Sequence, residues 1–583
     1  MRFYFLAAFN RKSCWILLLY IFSVVNLLFM HYYILVSQNV NPQTTDGGFE
    51  SISYFFNFCS SLLETSLVIF LFVIFTFGKV KRSLLLTFVV TLIWAFSNVL
   101  YSRFFQQYIT LTAMTQVTSL TNSFMLECIK SGLRWFDLVF VIWGIIFFIV
   151  YKKSENVQLI SFVLTIVAIP IVAYIGSFST MYLSYTFSTP RRYINYFNYR
   201  VSQILFDERI KTLHSNLSTF HRGSVLSLDW SSLFVSYKLN EQQRKEIFQE
   251  YKNYSERISQ HTTNKEKKNI IFIIVESYLS ALSDLVVDGK EITPFLNTLK
   301  HSENVYYNGN VVPNVAIGES SDGQFIYMTG ILPLRTDITV TKVSYHTLPS
   351  LPQITKSVCG IKGAQMVIPT LPSLWQQKDM CETYGIEKLY SCMDYKDGEG
   401  RELTDAEVFE LAEKSDATIT EPFLSVILTM DMHSPYRKAV EHGFTLSDSS
   451  LPQAYKNYLI TSHYTDMQIA RYFEHLKKSG LFERSLIVIA ADHDAHLDFL
   501  EMEGLIDSKI PVYIINGDID KSNTWTGPCN QLDVFTTLLD VLGVKSEWHG
   551  LGHSLLFPTY QNSVSEKTWE LSEWIIRGDY FKK

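Results

Sequence analysis

Five apolar runs in the first 180 residues constrain this chain more than any other feature of its sequence. Each run is about as long as a helix that crosses a bilayer, and the runs cover residues 13–36, 54–77, 84–101, 135–151 and 157–179. The chain is 48% hydrophobic, but the excess is local, because the sequence after these runs is mixed and polar. We therefore predict a membrane domain of five transmembrane helices over residues 1–180, surrounded by a lipid bilayer.

Basic residues around the runs predict how this domain is oriented. Arg11 and Lys12 precede the first run, and Lys152 and Lys153 separate the fourth run from the fifth, whereas the loop 37–53 contains no Lys or Arg. Because short cytoplasmic loops are rich in Lys and Arg, we expect the N-terminus inside and the chain beyond the fifth run outside. No small-residue cleavage site follows the first run, which favours an uncleaved helix over a signal peptide.

The remainder of the chain divides into three predicted segments. Residues 181–266 are typical of a juxtamembrane helical linker, in which "NEQQRKEIFQEYKNYSERI" has the pattern of a charged amphipathic helix. A spacer role is favoured for it over substrate binding. Residues 267–560 have the pattern of an α/β domain, and residues 561–583 form a C-terminal tail. The net charge is -6, and no segment combines clustered Lys and Arg with aromatic residues, which excludes a nucleic-acid-binding protein.

Four cysteines lie in the part of the chain that we expect outside the membrane. They are Cys359, Cys381, Cys392 and Cys529. An oxidising compartment would permit disulfides, and we expect Cys381 to pair with Cys392. No CxxC spacing indicates a zinc site.

Short buried-strand patterns begin at Asn269 and alternate with helical segments. The strand patterns are "NIIFIIVES", "QMVIP", "FLSVILTMDMH", "SLIVIAADHD" and "IPVYIIN". The sequence therefore predicts an α/β sheet with helices on both faces.

Polar side chains that are costly to bury follow three of these strands. Glu276 closes the first pattern, His433 follows the third, and Asp492 and His493 close the fourth. One acid at a strand end is usually a helix cap or a loop charge, and a lone His is usually a surface residue. Three such endings in one sheet indicate a ligand site, because ligands bind at the carboxyl ends of parallel strands. Two carboxylates with one imidazole suit Mn²⁺ or Zn²⁺.

The stretch "GESSDGQF", residues 318–325, places two hydroxyls at the predicted start of a helix. On local grounds Ser and Asp are the residues that a helix N-cap prefers. A hydroxyl at this position can also complete a metal site and act as a nucleophile towards a phosphate ester. Ser320 is the candidate nucleophile, and Ser321, beside Asp322, is the candidate for a structural cap or a phosphate contact.

These motifs resemble the lipoteichoic acid synthase branch of the alkaline phosphatase and sulfatase superfamily. The similar stretches are "VES" at 275–277, "GESSDGQF" at 318–325, "MDMHSPY" at 430–436, "ADHD" at 491–494 and "QLDVFTTLLDVLGV" at 531–544. The resemblance extends to "SNVLYSRFF" at 97–105 and "SLWQQKDMCETYGIEKLYSCMDY" at 373–395. It therefore covers most of the chain.

The resemblance implies a fold, a reaction and a set of residues. The fold is an α-helical membrane domain followed by an extracytoplasmic sulfatase-like α/β domain, in a multi-pass protein of the bacterial cell membrane. The reaction moves a phospho head group, with phosphoglycerol favoured, from a phosphatidyl lipid to an external glycan or glycolipid through a covalent Ser intermediate. One divalent metal is implied, with Mn²⁺ favoured over Zn²⁺ or Mg²⁺, and its ligands are Glu276, Ser320, Asp492 and His493. The other implied residues are His433, for phosphate contact or proton transfer, and Trp375, Ser321 and Gln377, for substrate binding.

The sequence departs from the family pattern at three positions of the candidate site. Ser320 replaces the usual Thr, Glu319 the preceding Lys, and Gln377 the Arg that follows the Trp. An amide holds phosphate or glycerol oxygens less well than a guanidinium does, so a phosphoethanolamine transferase is an alternative. A phosphodiesterase or sulfatase-type hydrolase and a non-catalytic membrane scaffold are further alternatives. A sulfatase is disfavoured, because Ser320 is not followed by the x-Pro-x-Arg that formylglycine formation needs.

Overall fold

The computed structural model describes two compact units, one helical and one built around a β-sheet. The first unit comprises residues 1–114 and 129–235, and the second comprises residues 115–128 and 236–583. The described residues are 11–37, 47–105, 109, 133–155, 171, 238–252 and 268–582, apart from gaps at 336, 345, 397–400, 435, 437–441, 498–499, 501, 503 and 545.

The described part of the first unit contains the predicted apolar helices. They are α1 (Arg11–Ser37), α2 (Gly47–Phe75), α3 (Val80–Phe105) and α4 (Leu138–Lys153), the last preceded by a 3₁₀ turn, Trp135–Asp137. Three stretches are long and apolar enough to cross a membrane, namely Trp15–Tyr33, Val80–Arg103 and Trp135–Lys153, and Ser61–Phe75 is a shorter apolar helix. The N-terminal helical region is thus confirmed. Apart from Ile171, the run 157–179 lies outside the described residues, so the count of five stays a prediction.

Buried polar contacts join these helices. The Arg103 guanidinium donates from both terminal nitrogens to the Asp137 carboxylate at 2.7 Å, and its Nε donates to the Tyr33 hydroxyl at 2.9 Å. Asn26 of α1 donates to the Thr91 hydroxyl of α3 at 3.0 Å. In an apolar surrounding a charge needs such a partner, so Arg103 ties the ends of three helices together.

The second unit is organised around an eight-stranded mixed sheet. Its strands, in spatial order, are β10 (Cys529–Asn530), β4 (Val305–Val312), β9 (Ile510–Ile515), β8 (Ser485–Ala491), β1 (Asn269–Val275), β7 (Phe423–Leu428), β5 (Gly363–Val367) and β6 (Lys388–Tyr390). The five strands from β8 to β6 are parallel, and β9 runs antiparallel to both of its neighbours. A separate hairpin pairs β2 (Val286–Val287) with β3 (Lys290–Glu291).

Every residue of β1, β7 and β8 is buried, which requires cover on both faces of the sheet. The predicted α/β architecture is confirmed. The helices of this unit, in chain order, are α5 (Glu241–Lys252), α6 (Pro294–Lys300), α7 (Ser320–Thr329), α8 (Val340–Val343), α9 (Leu351–Val358), α10 (Gln377–Tyr384), α11 (Asp405–Asp416), α12 (Gln453–Lys478), α13 (Leu532–Val541) and α14 (Glu566–Arg577).

The predicted linker and the predicted tail contact each other within this unit. Ile247 of α5 is 1% exposed, and Glu246 forms an ion pair with Lys567 of α14. A Cβ on Gly578 would lie 2.3 Å from Leu239 Cγ. The α5 helix therefore packs against α14, although the domain boundaries themselves stay a prediction.

The expected disulfide between Cys381 and Cys392 is wrong, because both thiols are free and buried. Cys381 lies on α10 with its Sγ 3.8 Å from Met366 Sδ. Cys392 lies in the turn after β6. Burial raises the pKa of Cys381 to about 12 and that of Cys392 to about 11, so each thiol is protonated and packs as a small apolar group.

Candidate active site

Strands β1 and β8 end side by side and bring three of the predicted ligands together. Val275 pairs with Ala491 in the parallel register, so Glu276 and Asp492 leave the sheet at the same level. Oxygens of these two carboxylates and a ring nitrogen of His493 lie within 4.8 Å of one another, and all three side chains are buried. No other group of three such ligands occurs among the described residues.

Short hydrogen bonds fix the direction of both carboxylates. Asp492 Oδ1 accepts the backbone N–H groups of Ser277 at 2.9 Å and of His493 at 2.8 Å. Glu276 Oε1 accepts the Ser277 hydroxyl at 2.7 Å. The remaining oxygens, Glu276 Oε2 and Asp492 Oδ2, are thereby directed into the cluster.

The ring of His493 is oriented by its own chain. Its Nδ1 lies 2.6 Å from the Asp494 carbonyl oxygen, which makes Nδ1–H the donor. Its Nε2 then faces the cluster, 3.4 Å from Glu276 Oε1 and 3.1 Å from the Ser320 hydroxyl. Metal-binding histidines commonly show this arrangement, in which one nitrogen donates to a carbonyl and the other binds the ion.

Helix α7 carries the fourth predicted ligand into this cluster. The Ser320 hydroxyl donates to Glu276 Oε2 at 3.2 Å. The close approach is possible because residue 323 is Gly, since a Cβ there would lie 2.3 Å from the Asp492 carbonyl oxygen. Asp322 shapes the preceding loop, because its Oδ2 accepts the backbone N–H groups of Ala316 at 3.0 Å and Gly318 at 2.9 Å.

Ser321 does not cap this helix. Its hydroxyl donates to the Gly318 carbonyl at 2.7 Å, and its backbone N–H donates to the same carbonyl at 2.9 Å. The next N–H, of Asp322, donates to the Glu319 carbonyl at 2.9 Å. These two first-turn amides are therefore not free to bind an anion, contrary to the simple expectation for a helix N-terminus.

The three candidate ligands differ in protonation because they are buried together. Burial raises the pKa of Asp492, and the charge of Glu276 adds to this, to a value of about 8. Burial acts in the same direction on Glu276, but the charge of His493 outweighs it and holds the pKa of Glu276 below its usual range. The two carboxylates outweigh the effect of burial on His493 and raise its pKa well above 6.5. Protons on Asp492 and His493 therefore offset the negative charge of the cluster, and a bound divalent cation would offset the same charge.

Glu319 adds another acid beside the candidate nucleophile. Its φ of 44° lies in the left-handed region, which is strained for a residue with a side chain. Burial raises its pKa, the charge of His493 lowers it, and the carboxyl groups of Asp494, Asp322 and Glu276 raise it, so that the pKa of Glu319 is about 7.

His433 lies at the same edge of the sheet. It follows β7 in a turn where its backbone N–H donates to the Met430 carbonyl at 2.9 Å, and its Nδ1 lies 2.5 Å from the Ser434 carbonyl oxygen. It is near enough to Glu276 for its charge to act on that carboxylate. The structure therefore brings together Glu276, Ser320, Asp492, His493 and His433.

Comparison with known proteins shows which families this chain is similar to. Residues 268–544 match the Sulfatase family model. The chain is 25% identical to lipoteichoic acid synthase of Staphylococcus aureus over 539 residues, which cover 86% of this chain and 79% of that protein. These matches support the predicted resemblance to the lipoteichoic acid synthase-like part of the alkaline phosphatase and sulfatase superfamily.

Solved structures are similar to this chain at the level of the fold. The integral membrane lipooligosaccharide phosphoethanolamine transferase A of Neisseria meningitidis is 13% identical, with a TM-score of 0.57, and the match covers 96% of this chain and 98% of that one. The lipoteichoic acid synthase LtaP of Listeria monocytogenes is 19% identical, with a TM-score of 0.46, and the match covers 54% of this chain and 81% of that one. The first of these matches extends over nearly the whole chain and supports the fold of both the helical region and the α/β domain.

Two of the residues predicted for substrate binding, Trp375 and Gln377, belong to the sulfatase-type domain, and Gln377 contacts helix α7. Trp375 lies in a short 3₁₀ turn and has a φ of 50°. Gln377, the first residue of α10, donates from Nε2 to Gln324 Oε1 at 2.8 Å, and both side chains are buried. Gln324 lies one turn after Ser320 on α7. Gln377 therefore contacts helix α7 through Gln324, and its side chain is buried rather than exposed to solvent.

Three residues that support the site escaped the sequence analysis. They are Gln324, Thr429, whose hydroxyl accepts the Glu276 backbone N–H at 3.0 Å, and Asp405, which contacts the His433 segment. Only Gln324 had a sequence signal, namely its i+4 spacing from Ser320 on one helix face. The others act across the fold from positions that look like ordinary loop and cap residues.

Proposed function

We propose that this chain is a membrane-anchored, metal-dependent transferase that moves a phospho head group, with phosphoglycerol favoured, from a phosphatidyl lipid to an external glycan or glycolipid. The observation that carries this proposal is the position of Ser320, whose hydroxyl lies within 3.2 Å of both Glu276 and His493. A lone helix cap would have no reason to face a cluster of buried ligands.

The donor lipid requires a catalytic domain at a membrane surface. Three stretches of the described residues are long and apolar enough to cross a bilayer, and the distribution of Lys and Arg favours an N-terminus inside. With five crossings, the sulfatase-type domain is outside the bacterial cell membrane, on the side where its glycan or glycolipid acceptor would be.

The donor atoms fit one divalent metal, with Mn²⁺ favoured and Zn²⁺ or Mg²⁺ as alternatives. Glu276 and Asp492 offer carboxylate oxygens, His493 offers Nε2 and Ser320 offers its hydroxyl, a mixed oxygen and nitrogen set. When bound, the ion would lower the pKa of the hydroxyl and neutralise the two carboxylates.

The residues of the chain then divide the reaction into two displacements. In the first, Ser320 Oγ gives its proton to water and attacks the phosphorus of the lipid head group, so the bond from phosphorus to the diacylglycerol oxygen breaks. His433 donates a proton to that leaving oxygen. In the second, His433 accepts the proton of an acceptor hydroxyl, which attacks the phosphoserine; the bond from phosphorus to Ser320 Oγ breaks, and Oγ takes a proton back from water. Gln324 and Gln377 support the helix that holds the nucleophile.

A phosphoethanolamine head group is the second candidate, favoured by two observations. Gln377 offers an amide where the family has a guanidinium, and that amide is already bonded to Gln324. Glu319 places a carboxylate next to the nucleophile, where it would attract an ammonium group and repel an additional anion.

The test is to incubate the purified protein with labelled phosphatidylglycerol or phosphatidylethanolamine and to locate the adduct by mass spectrometry. We expect an adduct on Ser320 from one lipid, and none from Ser320→Ala. Ser321→Ala is the matched control. Loss of its hydroxyl should remove about 1 kcal/mol of stabilisation, the value of one neutral hydrogen bond. An adduct on Ser321 would overturn the assignment. Label on neither serine favours the scaffold, and release of label to water without an acceptor favours the hydrolase.

A further inference from the structure

The segment that carries His433 is held by two buried aspartates outside the candidate site. Asp405 is 0% exposed and Asp431 is 3% exposed. Each carboxylate accepts the backbone N–H of the other residue, since the Asp405 N–H donates to Asp431 Oδ2 at 2.6 Å and the Asp431 N–H donates to Asp405 Oδ1 at 3.1 Å. The start of α11 and the end of β7 are thus joined by a reciprocal pair of hydrogen bonds.

Asp405 has two further donors, from two different elements. Its Oδ1 also accepts the Met430 backbone N–H at 2.7 Å, and its Oδ2 accepts the hydroxyl of Thr465, on α12, at 2.6 Å. Its own helix does not use this carboxylate as a cap, because the Thr404 N–H at the N-cap donates to Glu407 instead, at 2.9 Å. Asp405 is therefore directed at the neighbouring segment.

This segment leads directly to His433 and to the metal ligands. The His433 backbone N–H donates to the carbonyl of Met430, whose own N–H is the one that Asp405 accepts. At the other end, the Thr429 hydroxyl accepts the backbone N–H of Glu276 at 3.0 Å. The position of His433 relative to Glu276 thus depends on one short, doubly anchored turn.

We propose that Asp405 is a positioning residue for His433. The inference rests on the proposed function, in which His433 transfers a proton. Burying two carboxylates is costly unless their oxygens are satisfied, and here the donors are the backbone groups that set the path of the turn. Loss of the Asp405 carboxylate lets the turn relax, which lengthens the path of the proton while leaving Glu276, Asp492 and His493 in place.

The first experiment compares Asp405→Asn with a matched control, Asp466→Asn. Asp466 is also a buried acid that accepts two backbone N–H groups, those of Phe295 at 2.9 Å and Leu296 at 2.8 Å, but it holds a different segment. Both variants should lose thermal stability and keep the metal. Only Asp405→Asn should slow formation of the Ser320 adduct, by roughly 10- to 100-fold, the cost of misplacing a reacting group by about 1 Å.

A double-mutant cycle with His433→Ala separates positioning from general destabilisation. If Asp405 acts through His433, then Asp405→Asn should change the adduct rate by less than about twofold in the His433→Ala background. Equal losses in both backgrounds, or an Asp405→Asn rate equal to that of the wild type, would overturn the inference while the proposed function stands. A wild type that forms no adduct refutes the proposed function instead. If Asp405→Asn does not fold, Thr465→Val provides a milder variant and Thr465→Ser its rescue.

Discussion

Replacing Gly323 with Ala should move helix α7, which carries the proposed nucleophile Ser320, away from the proposed metal ligands. A Cβ at this position would lie 2.3 Å from the Asp492 carbonyl oxygen and 2.9 Å from its Cα, whereas ordinary contact begins at 3.4 Å. The neighbouring atoms are backbone, so no side-chain rotation relieves the contact. Either the start of α7 or the end of β8 must move by about 1 Å, and Ser320 moves away from Asp492 and His493.

This movement has a predicted effect on both rate and stability. A misplacement of about 1 Å at a reacting centre costs roughly 100-fold in rate, and overpacking costs about 1–3 kcal/mol of stability. We therefore expect Gly323→Ala to form the Ser320 adduct roughly 100-fold more slowly, to bind less metal and to melt at a lower temperature. The assays are time-resolved mass spectrometry of the adduct, elemental analysis and a thermal melt.

Gly363→Ala is the matched control. It lies on β5 of the same sheet, and its Cβ would lie 3.6 Å from Ile419 Cδ1, which is ordinary contact. We expect its adduct rate and metal content to equal those of the wild type. A Gly323→Ala protein that remains folded by circular dichroism and labels Ser320 at the wild-type rate would refute the argument, because the approach of α7 to Asp492 would then not define the site.

Three further predictions concern the metal, the pH and the topology. Asp492→Asn should remove metal and turnover while leaving the fold largely intact, and equal metal in both proteins by elemental analysis would count against the ligand assignment. Burial raises the pKa of Asp416 from 3.8 to about 6, so its stabilising effect is full below about pH 4 and is lost as the pH rises through 6. Between pH 4 and pH 8, the free energy of unfolding of the wild type should fall by on the order of 2–3 kcal/mol more than that of Asp416→Asn. Thermal melts that show the same pH dependence for both proteins would contradict this prediction. A reporter fused after Lys583 should be active outside the membrane, and an inside reading would contradict the orientation.

Local sequence patterns predicted the elements of this protein because helix and strand type depend on the period of apolar residues. The runs at 13–36, 84–101 and 135–151 became long apolar helices, and "NIIFIIV" and "SLIVIAA" became the buried central strands β1 and β8. Polar residues directly after buried strands also indicated the candidate site in advance, since Glu276 closes one such strand and Asp492 and His493 close another.

The same patterns were insufficient where contacts depend on which elements become neighbours. The sequence predicts a disulfide between Cys381 and Cys392, but the fold buries each thiol separately and both are free. Likewise, nothing local in Gln324 or Gln377 indicated that their amides would meet at 2.8 Å.

Sequence alone determined that this chain has apolar helices, an α/β domain and polar residues at strand ends, because each of these properties resides in a few consecutive residues. Tertiary structure alone decided that β1 lies beside β8, which brings Ser277 to Asp492 from 215 positions away. It also decided that α7 approaches Asp492 closely enough to require Gly323, and that Asp405 and Asp431 hold the turn of His433. The physical reason is that strand order and helix docking are set by burial and hydrogen bonding summed over the whole domain, which no local window contains.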